Sequence, residues 1–391
     1  MHHELCIMNY NKVRLIRTST IPGSINTFCR GLLRELQEEE GYDLCVISSP
    51  GDALQEIAER EGVAVREVPM ERHISLAKDL RSLWLMIRAL RRERPHMVHS
   101  ITPKAGLISM LAAWICRVPV RLHTFTGLVF PTATGLTQKI LILTDRLTCA
   151  CATHVMPEGE GVKADLQRYH ITRKPLRVLG HGNIRGIDLT HYDPALPEVT
   201  AEAAKIRRPG LFTFVFIGRL VGDKGINELV EAFARLQREL PATRLILVGE
   251  AEAALDPLRE KTQRSIAENP AIEAVGRQSD VRPWLAAADA FVFPSYREGF
   301  PNVVIEAGAM GLPSIVTDIN GSREIIRERE NGLIIPPRDA ESLYRAMKQM
   351  AEDSVVREKM AAKARPLIAT RYEQTYVRRC LKEYYAQILQ K

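Results

Sequence analysis

Short continuous apolar runs recur along this chain, each followed by a loop and then by apolar residues at helical spacing. In the first half the runs are Val13-Arg-Leu-Ile16, Leu44-Cys-Val-Ile-Ser48, Val63-Ala-Val-Arg-Glu-Val68, Met97-Val-His-Ser-Ile101, Val120-Arg-Leu-His-Thr124, His154-Val-Met156 and Arg177-Val-Leu179. Helical patterns run from the first loop to Glu40, from Asp52, from about Ser75 to Arg94, and to Arg117. Strands alternating with helices predict a parallel, doubly wound sheet. Around Gly180-His-Gly-Asn-Ile-Arg-Gly-Ile-Asp188 the pattern breaks into glycine-rich loop, then Pro194, Pro197 and an Ala/Glu-rich stretch. A second series opens with Leu211-Phe-Thr-Phe-Val-Phe-Ile217 and continues through Leu245-Ile-Leu-Val248, Ile272-Glu-Ala-Val275, Phe291-Val-Phe293 and Ser314-Ile-Val316. A last amphipathic helical segment, Tyr372 to Gln390, has no strand after it. The expected fold is α/β: two doubly wound parallel-sheet (Rossmann-like) domains, residues 1–190 and 191–371, facing a central cleft at the strand ends where such sheets bind ligands.

One stretch organises the chemistry. Ala290-Phe-Val-Phe293 reads as a buried strand, Pro294 to Pro301 as a loop, and Val303, Val304, Ile305, Ala307 and Met310 as a helix. Pro301 and Asn302 suit the first helical positions, Pro for its missing N–H and Asn as a cap. A helix opening off a parallel strand points free N–H groups and a positive dipole end above the sheet, where anionic oxygen fits. Glu298 and Glu306 bracket the loop, and a carboxylate accepts hydrogen bonds from a sugar diol. A phosphate flanked by two polyols describes a nucleotide sugar; two solvated glutamates on a surface loop are the alternative.

Composition narrows the partners. The 391 residues suffice for two domains, with the hydrophobic (46%) and charged (26%) content of a soluble globular protein. A net charge of +7 favours anionic partners, yet no zinc finger, helix-turn-helix or aromatic-plus-basic pattern points to nucleic acid. The cysteines (Cys6, Cys29, Cys45, Cys116, Cys149, Cys151, Cys380) are odd in number and lack C-x-x-C spacing, so neither a disulfide framework nor a zinc site is indicated. Cys149 and Cys151, with His154 nearby, read as core residues, and His2-His3 is too short to argue a metal site. No signal peptide or membrane-spanning run is evident, which sets the expectation of a cytoplasmic protein. The segment Leu80 to Arg94 combines Trp84 and aliphatics with arginines; it is either a helix lying on an anionic membrane surface or an ordinary core-facing helix. Gly23 stands alone in the first loop, so the G-x-G-x-x-G of a nicotinamide dehydrogenase is absent.

Three motifs together resemble the two-domain, GT-B type retaining glycosyltransferases of family 4 (glycosyl transferases group 1), and among them enzymes of capsule, O-antigen and lipid-linked oligosaccharide synthesis. They are Glu298-Gly-Phe-Pro-Asn-Val-Val-Ile-Glu306, Gly218-Arg-Leu-Val-Gly-Asp-Lys-Gly225 and Gly182-Asn-Ile-Arg-Gly-Ile-Asp188. The resemblance implies a hexose or N-acetylhexosamine moved from a nucleotide sugar, UDP-linked by family, to a polyprenyl-diphosphate-linked saccharide, at the cytoplasmic face of the inner membrane. No metal or other cofactor is implied, and no Asp-x-Asp motif supplies one. It further implies that Arg219 and Lys224 grip the donor diphosphate, that Glu298 contacts the transferred sugar and that Glu306 holds the ribose. Gly23, Gly218, Gly299, Phe300, Pro301, Asn302 and Val303 would complete the donor site, with Arg277 facing the base. Residues 372–391 would return to the first domain.

The first domain fits less closely. Family members often carry Gly-Gly or Gly-Ser in the first loop, matched here by Gly23-Ser24, and a histidine where this chain has Thr126. His123 is open between an active-site and a structural role. Lys104, at a helix start, is open between meeting an acceptor phosphate and being solvated. Two other classes share the fold: a sugar-nucleotide epimerase, which needs no acceptor, and a non-catalytic nucleotide-sugar-binding partner.

Overall fold

The computed structural model describes residues 12–71, 75–252 and 256–390; His2, His3 and Cys6 lie outside them. The chain divides into two compact units. One comprises the residues up to Pro157, then 165–177 and those from Arg378 on; the other comprises 158–164 and 178–377.

The first unit contains strands β1 (Arg14–Thr18), β2 (Asp43–Ser48), β3 (Ala64–Glu67), β4 (Met97–Ile101), β5 (Val120–Phe125) and β6 (His154–Pro157). They form one parallel sheet in the order β3-β2-β1-β4-β5-β6. Between them run α1 (Pro22–Cys29), α2 (Leu32–Glu38), α3 (Asp52–Glu61), α4 (Leu76–Glu93), α5 (Pro103–Ile115) and α6 (Gly135–Cys151), and α7 (Glu160–Arg168) follows. The continuous apolar runs are explained by burial on both faces: every residue of β4 is buried.

The second unit starts with α8 (Pro197–Ile206) and has strands β7 (Phe212–Ile217), β8 (Thr243–Val248), β9 (Ile272–Gly276), β10 (Ala290–Phe293), β11 (Ser314–Thr317) and β12 (Gly332–Ile335). Their order, β12-β11-β10-β7-β8-β9, is again fully parallel. The interleaved helices are α9 (Ile226–Glu239), α10 (Glu260–Glu268), α11 (Arg282–Ala286), α12 (Asn302–Ala309) and α13 (Ser322–Ile325), followed by α14 (Ala340–Glu352), α15 (Ser354–Tyr372) and α16 (Gln374–Leu389). Phe214, Phe216, Phe291 and Phe293 fill the core, with Phe216 and Phe293 stacked 5.9 Å apart. In each sheet the direction of winding reverses at one place, between β1 and β4 and between β7 and β10. Those reversal points are where ligands bind in such sheets.

Four expectations need correction. The helical pattern to Glu40 is two helices, because Gly31 adopts φ 75 between them. Arg177-Val-Leu179 forms no strand; a single bridge joins Leu176 to Val155 before the chain turns at Gly180, φ 55. β12 was not anticipated. The units part after Arg177 rather than at 190/191, because the following loop hydrogen-bonds within the second unit. There the Ile187 N–H donates to Tyr372 O at 2.8 Å and Asn183 Nδ2 to Asn302 Oδ1 at 2.9 Å.

The last helix contributes to the first unit. Arg378 meets Glu35 at 2.7 Å and Lys382 meets Glu35 at 2.5 Å. The buried Arg17 guanidinium donates to Tyr385 Oη at 2.5 Å and to Cys29 Sγ at 3.1 Å.

Candidate active site

The loops after β7, β8, β9 and β10 are held together by close backbone approaches. A Cβ on Gly225 (φ 73) would lie 2.1 Å from Pro294 O, and one on Gly249 (φ 146) 1.8 Å from Gly218 O. Only glycine permits either contact. The Gly249 N–H in turn donates to Gly276 O at 2.9 Å. Gly218, Gly225, Gly276 and Pro294 thereby fix the loops along one edge of the sheet.

Lys224 ends the short helical turn Gly222–Lys224, and its Nζ forms an ion pair with Glu298 Oε1 across the β7/β10 reversal point. The ammonium also sits over the Phe293 ring, 5.5 Å from its centroid. Ser295 Oγ donates to the same Glu298 oxygen at 2.8 Å. Arg219 is not drawn into this group: its Nη1 contacts Glu252 Oε2 at 2.7 Å on the loop after β8, and both side chains are exposed. Such an exposed pair contributes ~0–1 kcal/mol and is readily surrendered to a stronger anion. Arg277 is exposed beside Gly276.

The helix that follows differs from its expected start. Pro301 is the N-cap of α12, and Asn302 does not cap it; Asn302 Oδ1 instead accepts from Asn183 Nδ2. Phe300 is buried, edge-on to Tyr372 at 5.6 Å, and Gly299, Phe300 and Pro301 pack so closely on Gly321 (φ 73) that a Cβ there would lie 2.6 Å from Gly299 O. Val303 is half-buried in the first turn of α12. Glu306 is buried and takes a hydrogen bond from Arg185 Nη1 at 2.6 Å. Desolvation would lower the Arg185 pKa, but Glu306 and Tyr192 raise it on balance, so the guanidinium stays charged.

Four residues that matter here were not assigned roles from the sequence. Asn183 and Arg185 lay inside a quoted motif without a role, although their polar side chains in a glycine-rich loop were a visible signal. Glu324 accepts from the N–H groups of Glu160 (2.7 Å), Gly161 (3.0 Å) and Gly321 (3.1 Å), binding α7's start to α13. Glu158 is buried; burial first, then Glu324 and Glu298, push its carboxyl well above the usual range against a hydrogen bond from the Ile184 backbone. A lone Glu after a strand gave no hint of it.

In the first unit the candidates scatter. Ser24 and Lys104 line one cavity, but Lys104 is not solvated: its Nζ contacts both Asp79 oxygens, at 2.6 and 2.7 Å. His123 is a core residue. It is buried, bonded through Nδ1 to Ser100 Oγ at 2.8 Å and packed on Phe125, and burial pushes it down to about 3. Gly106 touches its ring so closely that a Cβ would lie 2.3 Å from Cε1. Thr126 is half-buried, and Gly23 is exposed with open space where a Cβ would be. Cys149 and Cys151 are buried in the core, burial holding the Cys149 thiol up at about 12. Among the described residues no His/Cys/Asp/Glu group has metal-holding geometry, and no helix is long and apolar enough to cross a membrane.

Comparison with known proteins places this architecture. Residues 23–182 match the family described as glycosyl transferase 4-like domain, and residues 212–353 match glycosyl transferases group 1. The chain belongs to the family 4, GT-B fold glycosyltransferases. It is 28% identical over 356 residues to the capsular polysaccharide biosynthesis glycosyltransferase CapM of Staphylococcus aureus, covering 91% of this chain and 92% of that one. It is 26% identical to the Escherichia coli UDP-Gal:alpha-D-GlcNAc-diphosphoundecaprenol alpha-1,3-galactosyltransferase, over 82% of this chain and 83% of that one. The crystal structure of Anabaena Alr3699/HepE in complex with UDP and glucose shares the fold with a TM-score of 0.79 at 17% identity, over 96% of this chain and 100% of that one.

Proposed function

We propose that this glycosyltransferase moves a hexose or N-acetylhexosamine, with retention of configuration, from a UDP-sugar to a hydroxyl of a polyprenyl-diphosphate-linked saccharide in surface-polysaccharide synthesis. The observation that carries the reading is the Lys224–Glu298 pair at the β7/β10 reversal point. A cation and a carboxylate side by side match the two halves of a sugar diphosphate. The capsular and diphosphoundecaprenol-linked activities named for the relatives support the acceptor class.

The demanding step breaks the bond between sugar C1 and the diphosphate oxygen. Negative charge grows on that oxygen while C1 becomes oxocarbenium-like. Fixed cations aimed at the departing oxygen stabilise the transition state more than the ground state. Lys224 supplies one; Arg219, released from Glu252, supplies a second; the start of α12 supplies a dipole end. Glu298, freed as Lys224 turns to phosphate, accepts from a sugar hydroxyl and orients the ring. The acceptor oxygen bonds to C1 from the face that the diphosphate leaves, and its proton passes to the departing diphosphate oxygen. No carboxylate acts as nucleophile and no metal takes part. Glu306, held by Arg185, meets the ribose. The work is done as a peripheral protein at a cytoplasmic membrane surface.

The test is a titration of UDP- and GDP-sugars followed by an assay with a GlcNAc-diphospho-polyprenyl acceptor, the product anomer read by NMR. Acceptor-dependent transfer giving the donor's anomer is expected. Conversion of the UDP-sugar without acceptor would make the protein an epimerase, and binding without turnover a non-catalytic partner.

A further inference from the structure

In the second unit α9 packs against both α10 and α14, and the three helices enclose a cavity of about 580 Å³. That volume lies in the range of small-molecule sites. None of the residues lining it belongs to the Lys224–Glu298 group. Asn227, Glu231, Ala234 and Arg238 reach it from α9, spaced four, three and four apart and so on one helix face. The small side chains of Ala234 and, on α10, Ser265 leave the room.

Asn227 is only 7% exposed. Its Oδ1 accepts from the Arg259 N–H at 3.0 Å and from Thr262 Oγ1 at 2.8 Å. A backbone N–H can only donate, so that end of the amide is the oxygen and the other is the NH₂. Among the described residues Asn227 Nδ2 has no acceptor, and a buried donor without one is costly. Arg259 is the N-cap of α10, whose first N–H groups receive no side-chain cap, and Lys261 stands in the first turn. Lys261, and Arg238 farther along α9, have no ion-pair partner among the described residues. Arg235 is already engaged, paired with Glu341 and stacked 3.8 Å from the Tyr344 ring centroid. Of the acids lining the cavity, Glu341 is paired with Arg235 and Arg345, and Glu231 is exposed. A set of donors alone fits a group made of acceptors alone, and phosphate is such a group. Glu231 and Ser265 can accept from hydroxyls beside it.

We infer that this cavity takes a sugar phosphate as an effector of the donor site, its phosphate against Asn227, Lys261 and the start of α10 and its hydroxyls towards Glu231 and Ser265. The burial of Asn227 selects a small ligand over an acidic protein surface, which would meet the exposed cations and miss that donor. The reach to the donor loops is short. Asn227 lies three positions after Lys224, in the first turn of the helix that Lys224 leads into. Its neighbour Glu228 is buried and accepts from Arg259 Nη2 at 3.4 Å and from Tyr296 Oη. Tyr296 precedes Glu298 by two positions, and its N–H donates to Asp223 O at 2.8 Å. A phosphate that draws Arg259 from Glu228 therefore alters the contact that ties the β10 loop to α9. Binding in the cavity is independent of the donor reading; its effect on UDP rests on that reading.

The experiment titrates glucose 6-phosphate into the full chain by calorimetry, then titrates UDP at a series of fixed glucose 6-phosphate concentrations. Glucose 6-phosphate is expected to bind at least about tenfold tighter than glucose and than inorganic phosphate, since phosphate and hydroxyls both contribute. It should change the UDP Kd at least about fivefold, the change levelling off as the cavity fills. Lys261→Glu, at an exposed position, and Ser265→Trp, which fills the cavity, should each weaken glucose 6-phosphate at least about tenfold. Both should keep the melting temperature and the UDP Kd measured without effector. Glucose 6-phosphate bound no better than inorganic phosphate, or undiminished in either folded variant, overturns the inference. So does a UDP Kd that ignores glucose 6-phosphate, or one that keeps rising in proportion to it, which is competition at the donor loops. A chain that binds UDP but not glucose 6-phosphate loses this site and keeps the donor reading; one that binds glucose 6-phosphate but not UDP loses the donor reading and the effector role with it.

Discussion

Lys224, at the end of the turn after β7, and Glu298, in the loop after β10, hold each other in a half-buried ion pair across the strands where the second sheet reverses. Each is the other's counter-ion here, and the mechanism proposed above has Lys224 exchange that partner for a donor phosphate and Glu298 exchange it for a sugar hydroxyl.

Lys224→Ala should lower kcat by ~10²–10³ by removing a cation from the departing oxygen. Arg219→Ala should lose a similar factor without changing the melting temperature, because its exposed pair with Glu252 contributes little to stability. Steady-state kinetics and melting of both variants check this; near-normal transfer by both would remove the proposed leaving-group clamp.

Glu306→Ala should raise the Kd for UDP and leave Arg185 without its carboxylate. Breaking a buried pair by removing one member is expected to cost ~1–3 kcal/mol here, since both side chains keep some solvent contact. The reading is a melting curve with and without UDP, in which the variant shows both a lower baseline and a smaller ligand-induced shift.

Gly225→Ala should destabilise by ~2–4 kcal/mol, through its positive φ and the collision with Pro294 O. Because Gly225 joins the β7 and β10 loops, activity should fall further than Gly210→Ala, which meets only open space at a comparable φ of 81, would lower it.

The pH dependence of stability has opposing parts in the first unit. Asp145 has its folded pKa raised from 3.8 to about 7 by burial, so its contribution is full below the unfolded value and is lost as pH rises towards 7. His123 is lowered from 6.5 to about 3, so its contribution is full above the unfolded value and is lost as pH falls. Asp145→Asn should accordingly steepen the rise in stability between about pH 4 and about pH 6.5, and add up to ~2–4 kcal/mol near pH 8. Denaturant titrations at pH 5 and pH 8 read the difference; an equal effect at both would mean that Asp145 does not titrate as described.

The alternation of apolar runs and helical spacing was enough for both sheets, because parallel strands are buried on both faces and leave a strong signal. Strand order could not be read from that pattern, and β12, no shorter than β10 or β11, was obscured because its three apolar residues sit between Gly332 and Pro336-Pro337. The loop from Glu298 to Glu306 announced itself through its strand, its glycine and its two acids. What remained hidden was long-range pairing: that Arg185 lies against Glu306, 121 positions away, or that Glu298 faces Lys224. His123 was ambiguous because a histidine at a strand end looks the same whether its ring meets solvent or, as here, the flat face left by Gly106.

The final helix has a consequence for how the protein is made. Arg17, near the beginning, is enclosed and relies on the hydroxyl of Tyr385, 368 positions later. A ribosome must therefore release almost the entire polypeptide before the leading half can finish its interior. Expressed alone, residues 12–177 should be prone to aggregation, and adding a peptide spanning 374–390 should rescue their solubility.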